Sequence, residues 1–259
     1  MLFTPRGSSV LLTQDTQQEV VRQNDIGQAY FDLPLEEKGD AAYRRDFANG
    51  NYFVYRAAYE KKIIGTEVLG SVESVNIPKF SRRSLDIASK ILTLFSISLE
   101  LPEDYFSKQH SYEDASEYMI YRPRPAGEDA NVENAWSRAH TDFGSLTLLW
   151  SQNVAWKYVP PVDDGITRNV GDTLAFWFAG YLKLSQTIHR VIRPPEDRTH
   201  INRLYLFYFV IPGNNVAIKP APLPLLKRLG LVAEDQEKQS QSEGESFKVG
   251  NLEIEDEAA

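Results

Sequence analysis

A histidine and an aspartate stand two positions apart in RAHTDFGSLTLLW, residues 138–150, at the mouth of an apolar run. In a β-strand successive side chains point to opposite faces, so His140 and Asp142 would share one, roughly 6 to 7 Å apart. A bare H-x-D is more often a strand end that meets solvent, and the pair needs a third partner before it signifies chemistry. His189, in KLSQTIHRVIRPP, lies 47 positions beyond Asp142. Alone it reads as a core histidine satisfied by a neighbour. Together, two histidines and a carboxylate in a chain without cysteine make the donor set of the facial triad, which leaves three positions on Fe(II) open. Zinc held by the same three side chains is the competing metal.

The run NRLYLFYFVIP alternates, with Arg203, Tyr205, Phe207 and Phe209 on one face and Leu204, Leu206, Tyr208 and Val210 on the other. A buried guanidinium among aromatic rings needs an anionic partner. The carboxylate of a small organic acid, held bidentately, fits; a protein carboxylate such as Asp197 competes for that role. The remaining chemistry-bearing residues read more plainly. His110 and His200 lie in polar loop sequence and are expected at the surface. Gly171 and Asp172 in NVGDTL read as a turn, and Phe176, Trp177 and Phe178 as core packing rather than substrate contact.

These residues need elements to position them. From residue 117 onward, short β-type runs (YMIYRP, GSLTLLW, WKYV, GITRNVGDTLAFWF, TIHRVIRP and RLYLFYFVIP) are separated by turn residues, the pattern of a sandwich or jelly roll with helices outside. Upstream, Val20, Val21, Ile26, Tyr30 and Phe31 recur at helical spacing, and Pro34 opens a second short acidic turn. Residues 49–79 read as loop and short strands. A second helix is expected in SRRSLDIASKILTLFSISLELP, with Ser84 as N-cap, Leu85, Ala88, Ile91, Leu92 and Phe95 on one stripe, and Pro102 at its end.

The 259 residues suit one sizeable core. With no cysteine, any metal must be held by nitrogen and oxygen. No apolar run is long enough to span a membrane and no secretory signal is expected, so a cytoplasmic protein is anticipated. Residues 233–259 hold nine acidic residues against two lysines, a net of −7 within a total of −8. The body is therefore near neutral, shows no basic patch, and is not expected to bind nucleic acid.

Four motifs, HTDFGSLTLLW, NVGDTLAFWFAGYLK, TIHRVIRPP and RLYLFYFVIP, together resemble the 2-oxoglutarate- and Fe(II)-dependent dioxygenases of the isopenicillin N synthase-like family, fungal members especially. YFDLPLEEK, NGNYFVYR and VNIPKF resemble that family's N-terminal region, so the resemblance runs from about residue 18 to about residue 232. It implies a mainly β chain with flanking helices, built on a double-stranded β-helix, or jelly roll. It also implies Fe(II) on His140, Asp142 and His189. The keto and C1 carboxylate oxygens of the co-substrate 2-oxoglutarate would chelate the metal, its far carboxylate would meet Arg203, and dioxygen would take the last position. A small organic metabolite would be oxidised while 2-oxoglutarate becomes succinate. Tyr121 stands near where the family lines its 2-oxoglutarate pocket, with packing as the alternative role.

On that reading residues 1–115 form a helical N-terminal region, 116–215 the jelly-roll core, 216–232 a C-terminal segment and 233–259 an acidic, disordered tail. The chain departs from the family in four places. The opening strand and helix are absent, the helical stretch after VNIPKF is short, and a strand and hairpin between WSQNVA and WKYVPP are missing, which exposes sheet edges and leaves the jelly roll incomplete. In the fourth, Tyr205 replaces the serine of the family's Arg-x-Ser. The missing segments leave open a non-catalytic metal-binding or scaffold member, and Tyr205 an iron and dioxygen oxidase that does not use 2-oxoglutarate.

Overall fold

The alternating residues 203–210 form the central strand of the molecule, buried on both faces. The computed structural model describes residues 2–3, 8–12, 17–38, 55–76, 81–111, 116–150, 165–178, 188–213, 215–230 and 247–248. In chain order they form β1 (Leu2–Phe3), β2 (Ser8–Leu12), α1 (Gln17–Phe31), α2 (Leu35–Lys38), β3 (Val72–Asn76), α3 (Ser81–Ser98), β4 (Ser116–Tyr121), α4 (Ala126–Ala130), β5 (Ala135–His140), β6 (Leu146–Trp150), β7 (Gly165–Val170), α5 (Asp172–Trp177), β8 (His189–Ile192), β9 (Arg203–Val210), β10 (Ala217–Ile218), α6 (Pro224–Arg228) and β11 (Phe247–Lys248).

All pairings are antiparallel. One sheet has the order β2-β7-β6-β9-β4-β3 and a smaller one β1-β8-β5. Residues opposite one another in an antiparallel ladder share a face, so register decides what meets what. Arg203 lies opposite Tyr121, Tyr205 opposite Met119, Phe207 opposite both Glu117 and Leu149, and Phe209 opposite Thr147. Tyr121, Leu149, Tyr205 and Phe207 pack against Trp136 and Val191 of the smaller sheet, forming the layer between the sheets. The other face carries Ile120, Leu146, Leu148, Leu206 and Tyr208, which pack on Phe31, Ala88, Leu92, Phe106 and Trp177 from the helical side. The result is the expected two-sheet jelly roll with helices outside.

Helix α1 buries Val20, Asn24 and Phe31. A Cβ at Gly27 would stand 2.9 Å from the Tyr118 ring, so glycine lets the helix lie directly on β4. Glu73 of β3 fastens the helical layer. Its Oε1 accepts from Lys38 Nζ and Tyr55 OH at 2.8 Å, and its Oε2 from Arg122 Nε and Nη2 at 2.9 and 2.7 Å. Lys38 and Arg122 also donate to the carbonyl that ends α1, at Phe31.

Two expected elements differ. Ser84 is not an N-cap, because α3 already runs from Ser81; Ser84 sits inside the helix, fully buried, in the stripe of Ala88, Ile91 and Leu92. The segment DTLAFW is a helix rather than β-type structure. Leu174, Trp177 and Phe178 recur at helical spacing and all enter the core, and that burial outweighs the strand preference of aromatic residues.

WKYV lies outside the described residues. The edge of β8 opposite β5 is taken by β1. Within the acidic segment, Phe247–Lys248 pair with Ala217–Ile218, and the rest of 231–259 lies outside the described residues. Among the described residues no helix is long and apolar enough to cross a membrane.

Candidate functional site

His140 is the last residue of β5 and His189 the first of β8, and the two are paired in register. Their ring centroids lie 4.3 Å apart. Asp142 does not share the strand with His140, as the H-x-D spacing suggested; it follows in the loop after β5, which turns its carboxylate back toward both imidazoles. Asp142 Oδ1 stands 3.8 Å from His140 Nε2 and 3.6 Å from His189 Nε2. One donor atom from each of the three lies within 4.8 Å of the others, a group able to hold a metal ion. Two donors about 2.1 Å from one ion stand about 3 Å apart at right angles, so small side-chain movements close the set on it.

The second ring nitrogen of His140 and the second carboxylate oxygen of Asp142 are occupied in ways that aim the donors. His140 Nδ1 is 2.8 Å from the Arg138 carbonyl and can only donate to it, which leaves a lone pair on Nε2. Asp142 Oδ2 accepts from Thr147 Oγ1 at 2.6 Å and from Asn169 Nδ2 at 2.8 Å. Thr147 and Asn169, both buried, are opposite one another on β6 and β7. Two nitrogen donors and one oxygen suit Fe(II) with open positions, and also suit zinc. The pocket is asymmetric: the His140 side chain is 43% exposed and that of His189 only 2%.

Gly171 and Asp172, read from sequence as a turn, hold the loop that carries Asp142. Asp172 N donates to the Asp142 carbonyl at 2.8 Å, Thr173 N and Oγ1 donate to that of Phe143, and Gly171 N donates to that of Ser145. Any Cβ at Gly171 would stand 2.1 Å from the Gly144 carbonyl oxygen, so the junction between β7 and α5 requires glycine. Asp172 Oδ2 accepts from Thr141 Oγ1, and burial pushes this carboxyl above its ordinary range.

At the other end of the inter-sheet layer Arg203 is 5% exposed. Its Nη1 donates to the Ile192 carbonyl, and its guanidinium lies 5.5 Å from the centroid of the Trp136 ring. Asp197 Oδ2 stands 3.6 Å from Arg198 Nε. Tyr121 is 5.7 Å from Tyr205 edge to face and stacks on Trp136 at 6.4 Å. Burial lowers the Arg203 pKa from its usual guanidinium value and raises that of the Tyr121 phenol. Arg203 nevertheless stays cationic and Tyr121 neutral at physiological pH. His189 and Ile192 are three strand positions apart, roughly 10 Å, the scale of a small dicarboxylate reaching from a metal to the guanidinium.

Of the other sequence expectations, His200 is exposed and Trp177 and Phe178 are core, whereas Phe176 is 40% exposed. His110 is not a solvated surface histidine. Its ring bridges the Phe106 carbonyl and Ser145 Oγ at 2.9 Å each and packs edge-on to Trp177, and burial pushes its pKa down to about 4. Sequence reasoning also missed Thr147, Asn169 and Trp136. The local signals were a threonine inside the apolar strand LTLLW and a tryptophan four positions before His140; Asn169, which follows Thr167 and Arg168 in GITRNV, carried none.

Residues 114–212 match the profile of the 2OG-Fe(II) oxygenase superfamily. A UPF0676 protein of Schizosaccharomyces pombe is 26% identical over 238 residues, covering 78% of this chain and 72% of the relative. A 2-oxoglutarate-dependent dioxygenase of Dothideomycetidae sp. is 26% identical over 226 residues, covering 75% and 68%. Among solved structures, a full-length Neurospora crassa protein in complex with alpha-KG superposes with a TM-score of 0.73 at 18% identity, over 95% of this chain and 84% of that one.

Proposed function

Because the chain carries a 2OG-Fe(II) oxygenase domain across residues 114–212, we propose that it oxidises a small organic metabolite using Fe(II), 2-oxoglutarate and dioxygen, with residues 116–215 as the catalytic core. His140, Asp142 and His189 hold the metal, Arg203 takes the far carboxylate of 2-oxoglutarate, and Tyr121 and Tyr205 line the co-substrate. When bound, the metal supplies activation of dioxygen coupled to decarboxylation of 2-oxoglutarate. The chain supplies position. Thr147 and Asn169 fix Asp142 so that one carboxylate oxygen faces both imidazoles, and the Arg138 carbonyl fixes the tautomer of His140. The aromatic layer around Tyr121, Tyr205 and Phe207 keeps water from the Arg203 end, where a charge-assisted, bidentate contact is worth most.

The observation that carries this reading is the arrangement of three donor atoms within 4.8 Å of one another, with His140 Nδ1 held by the Arg138 carbonyl and Asp142 Oδ2 by Thr147 and Asn169. Purified protein incubated with Fe(II), ascorbate, 2-oxoglutarate and candidate metabolites should release succinate, and His189→Ala should abolish the release. Fe(II) and 2-oxoglutarate together should raise the melting temperature of the wild type, since ligands bound only by the native state stabilise it. Succinate release unchanged in His189→Ala would refute the assignment.

The replacement of serine by Tyr205 favours a second reading, an iron and dioxygen oxidase that dispenses with 2-oxoglutarate. Substrate-dependent dioxygen uptake without 2-oxoglutarate would select it.

A further inference from the structure

Behind Arg203, on the side away from the three donors, lies a buried charge cluster that the reading above does not use. Asp129 is completely buried. Its Oδ1 accepts from Arg124 Nε at 3.0 Å, and its Oδ2 stands 3.2 Å from Arg193 Nε. Trp136 Nε1 donates to the same carboxylate at 3.1 and 3.3 Å. Arg124 also donates to the Leu69 and Ala135 carbonyls, and Arg193 N donates to that of Asn134. The cluster therefore fixes α4, the start of β5 and the end of β8 against one another. Trp136 projects from it with its ring beneath the Arg203 guanidinium, 5.5 Å from centroid to carbon. The same arginine is tied to the Ile192 carbonyl, one residue from Arg193.

We infer that Trp136 is a positioning residue for 2-oxoglutarate: its indole, locked by Asp129, is the platform that holds the Arg203 guanidinium ready for the far carboxylate. This rests on the function proposed above. The physical case has two parts. A guanidinium withdrawn from water is stabilised over the face of an indole, the strongest of the aromatic partners. An indole whose N–H is bound to a carboxylate is fixed in orientation and carries more electron density on its ring. Arg203 is thus placed before the ligand arrives, and the ordering cost is met by the fold rather than by binding.

The test is calorimetry on protein loaded with Mn(II), titrated with 2-oxoglutarate and, separately, with pyruvate, which has the same 2-keto acid group but no far carboxylate. Trp136→Leu should weaken 2-oxoglutarate binding roughly two- to thirtyfold, the range of a cation–π contact from exposed to desolvated sites. Trp136→Phe, which keeps a ring in the layer, should weaken it less, and pyruvate should bind all three proteins alike. If both ligands weaken equally, or if neither variant changes the preference for 2-oxoglutarate over pyruvate, Trp136 only packs and the inference is overturned. A wild type with no preference for 2-oxoglutarate would instead overturn the functional reading on which it rests.

Discussion

Glu73 and Asp142 are both buried carboxylates with nitrogen-bearing side chains beside them, and they are built to opposite ends. Glu73 is closed: Lys38, Tyr55 and Arg122 occupy both of its oxygens at 2.7 to 2.9 Å. Burial alone would raise its pKa, but the hydrogen bonds from Lys38, Arg122 and Tyr55 outweigh it and hold the group below the ordinary glutamate value. Asp142 is half closed. Thr147 and Asn169 take one oxygen, and the other faces two imidazoles at 3.6 and 3.8 Å, beyond hydrogen-bonding reach. A cluster that serves the fold exhausts its donors and acceptors on itself, whereas one that serves chemistry leaves them converging on a shared gap.

The contrast can be broken from either side. The largest effect on stability should come from Glu73→Ala, which leaves Lys38 buried and Arg122 half-buried without their carboxylate and should cost on the order of 3 kcal/mol in denaturant unfolding. Metal affinity of the folded fraction should not change. Arg203→Ala should cost about 2 to 5 kcal/mol of 2-oxoglutarate binding, at least a tenfold loss in a titration, while metal binding to His140, Asp142 and His189 stays nearly intact. Asn169→Ala frees Asp142 Oδ2 from one of its two donors and should weaken metal binding about 10- to 100-fold, the usual effect of losing a group that orients a ligand, with little change in melting temperature.

The smallest effect is one of pH. The folded pKa of His110 is depressed, from 6.5 to about 4, so the unfolded chain takes up the proton first. Its contribution is complete above about pH 6.5, declines as pH falls, and is exhausted near pH 4. With partial exposure of the ring, about 2 kcal/mol should be lost across that window. His110→Gln should flatten the corresponding part of the melting-temperature profile.

The sequence exposed the donors more readily than their supports. His140 and His189 are two of the chain's four histidines and stand with Asp142 at suggestive spacings, and the period of two in residues 203–210 puts Arg203 and Tyr205 on one face, as their pairing with Tyr121 and Met119 does. Thr147 and Asn169 are hard to single out because a threonine in a strand is ordinary and an asparagine two positions before Gly171 reads as the approach to a turn; the pairing of β6 with β7 gives them a common target. His110 sits in polar sequence, yet the turn at Ser107–Gln109 folds it back onto Trp177, a contact between residues 67 positions apart. A period of two extended past His140 puts Asp142 on a strand, whereas the β5–β8 ladder shifts register twice and ends at His140. In each case the missing information was tertiary.

The unequal exposure of the two histidines makes the site open to chemical footprinting. An acylating reagent for imidazoles meets His140 and His200 at the surface, while His189 is buried and both ring nitrogens of His110 are engaged. On His140 the nitrogen left to react is Nε2, the atom that faces Asp142. Peptide mapping should therefore find His140 labelled in metal-free protein and shielded once the ion is bound, with His200 as the internal standard, so that occupancy can be followed when no substrate is known.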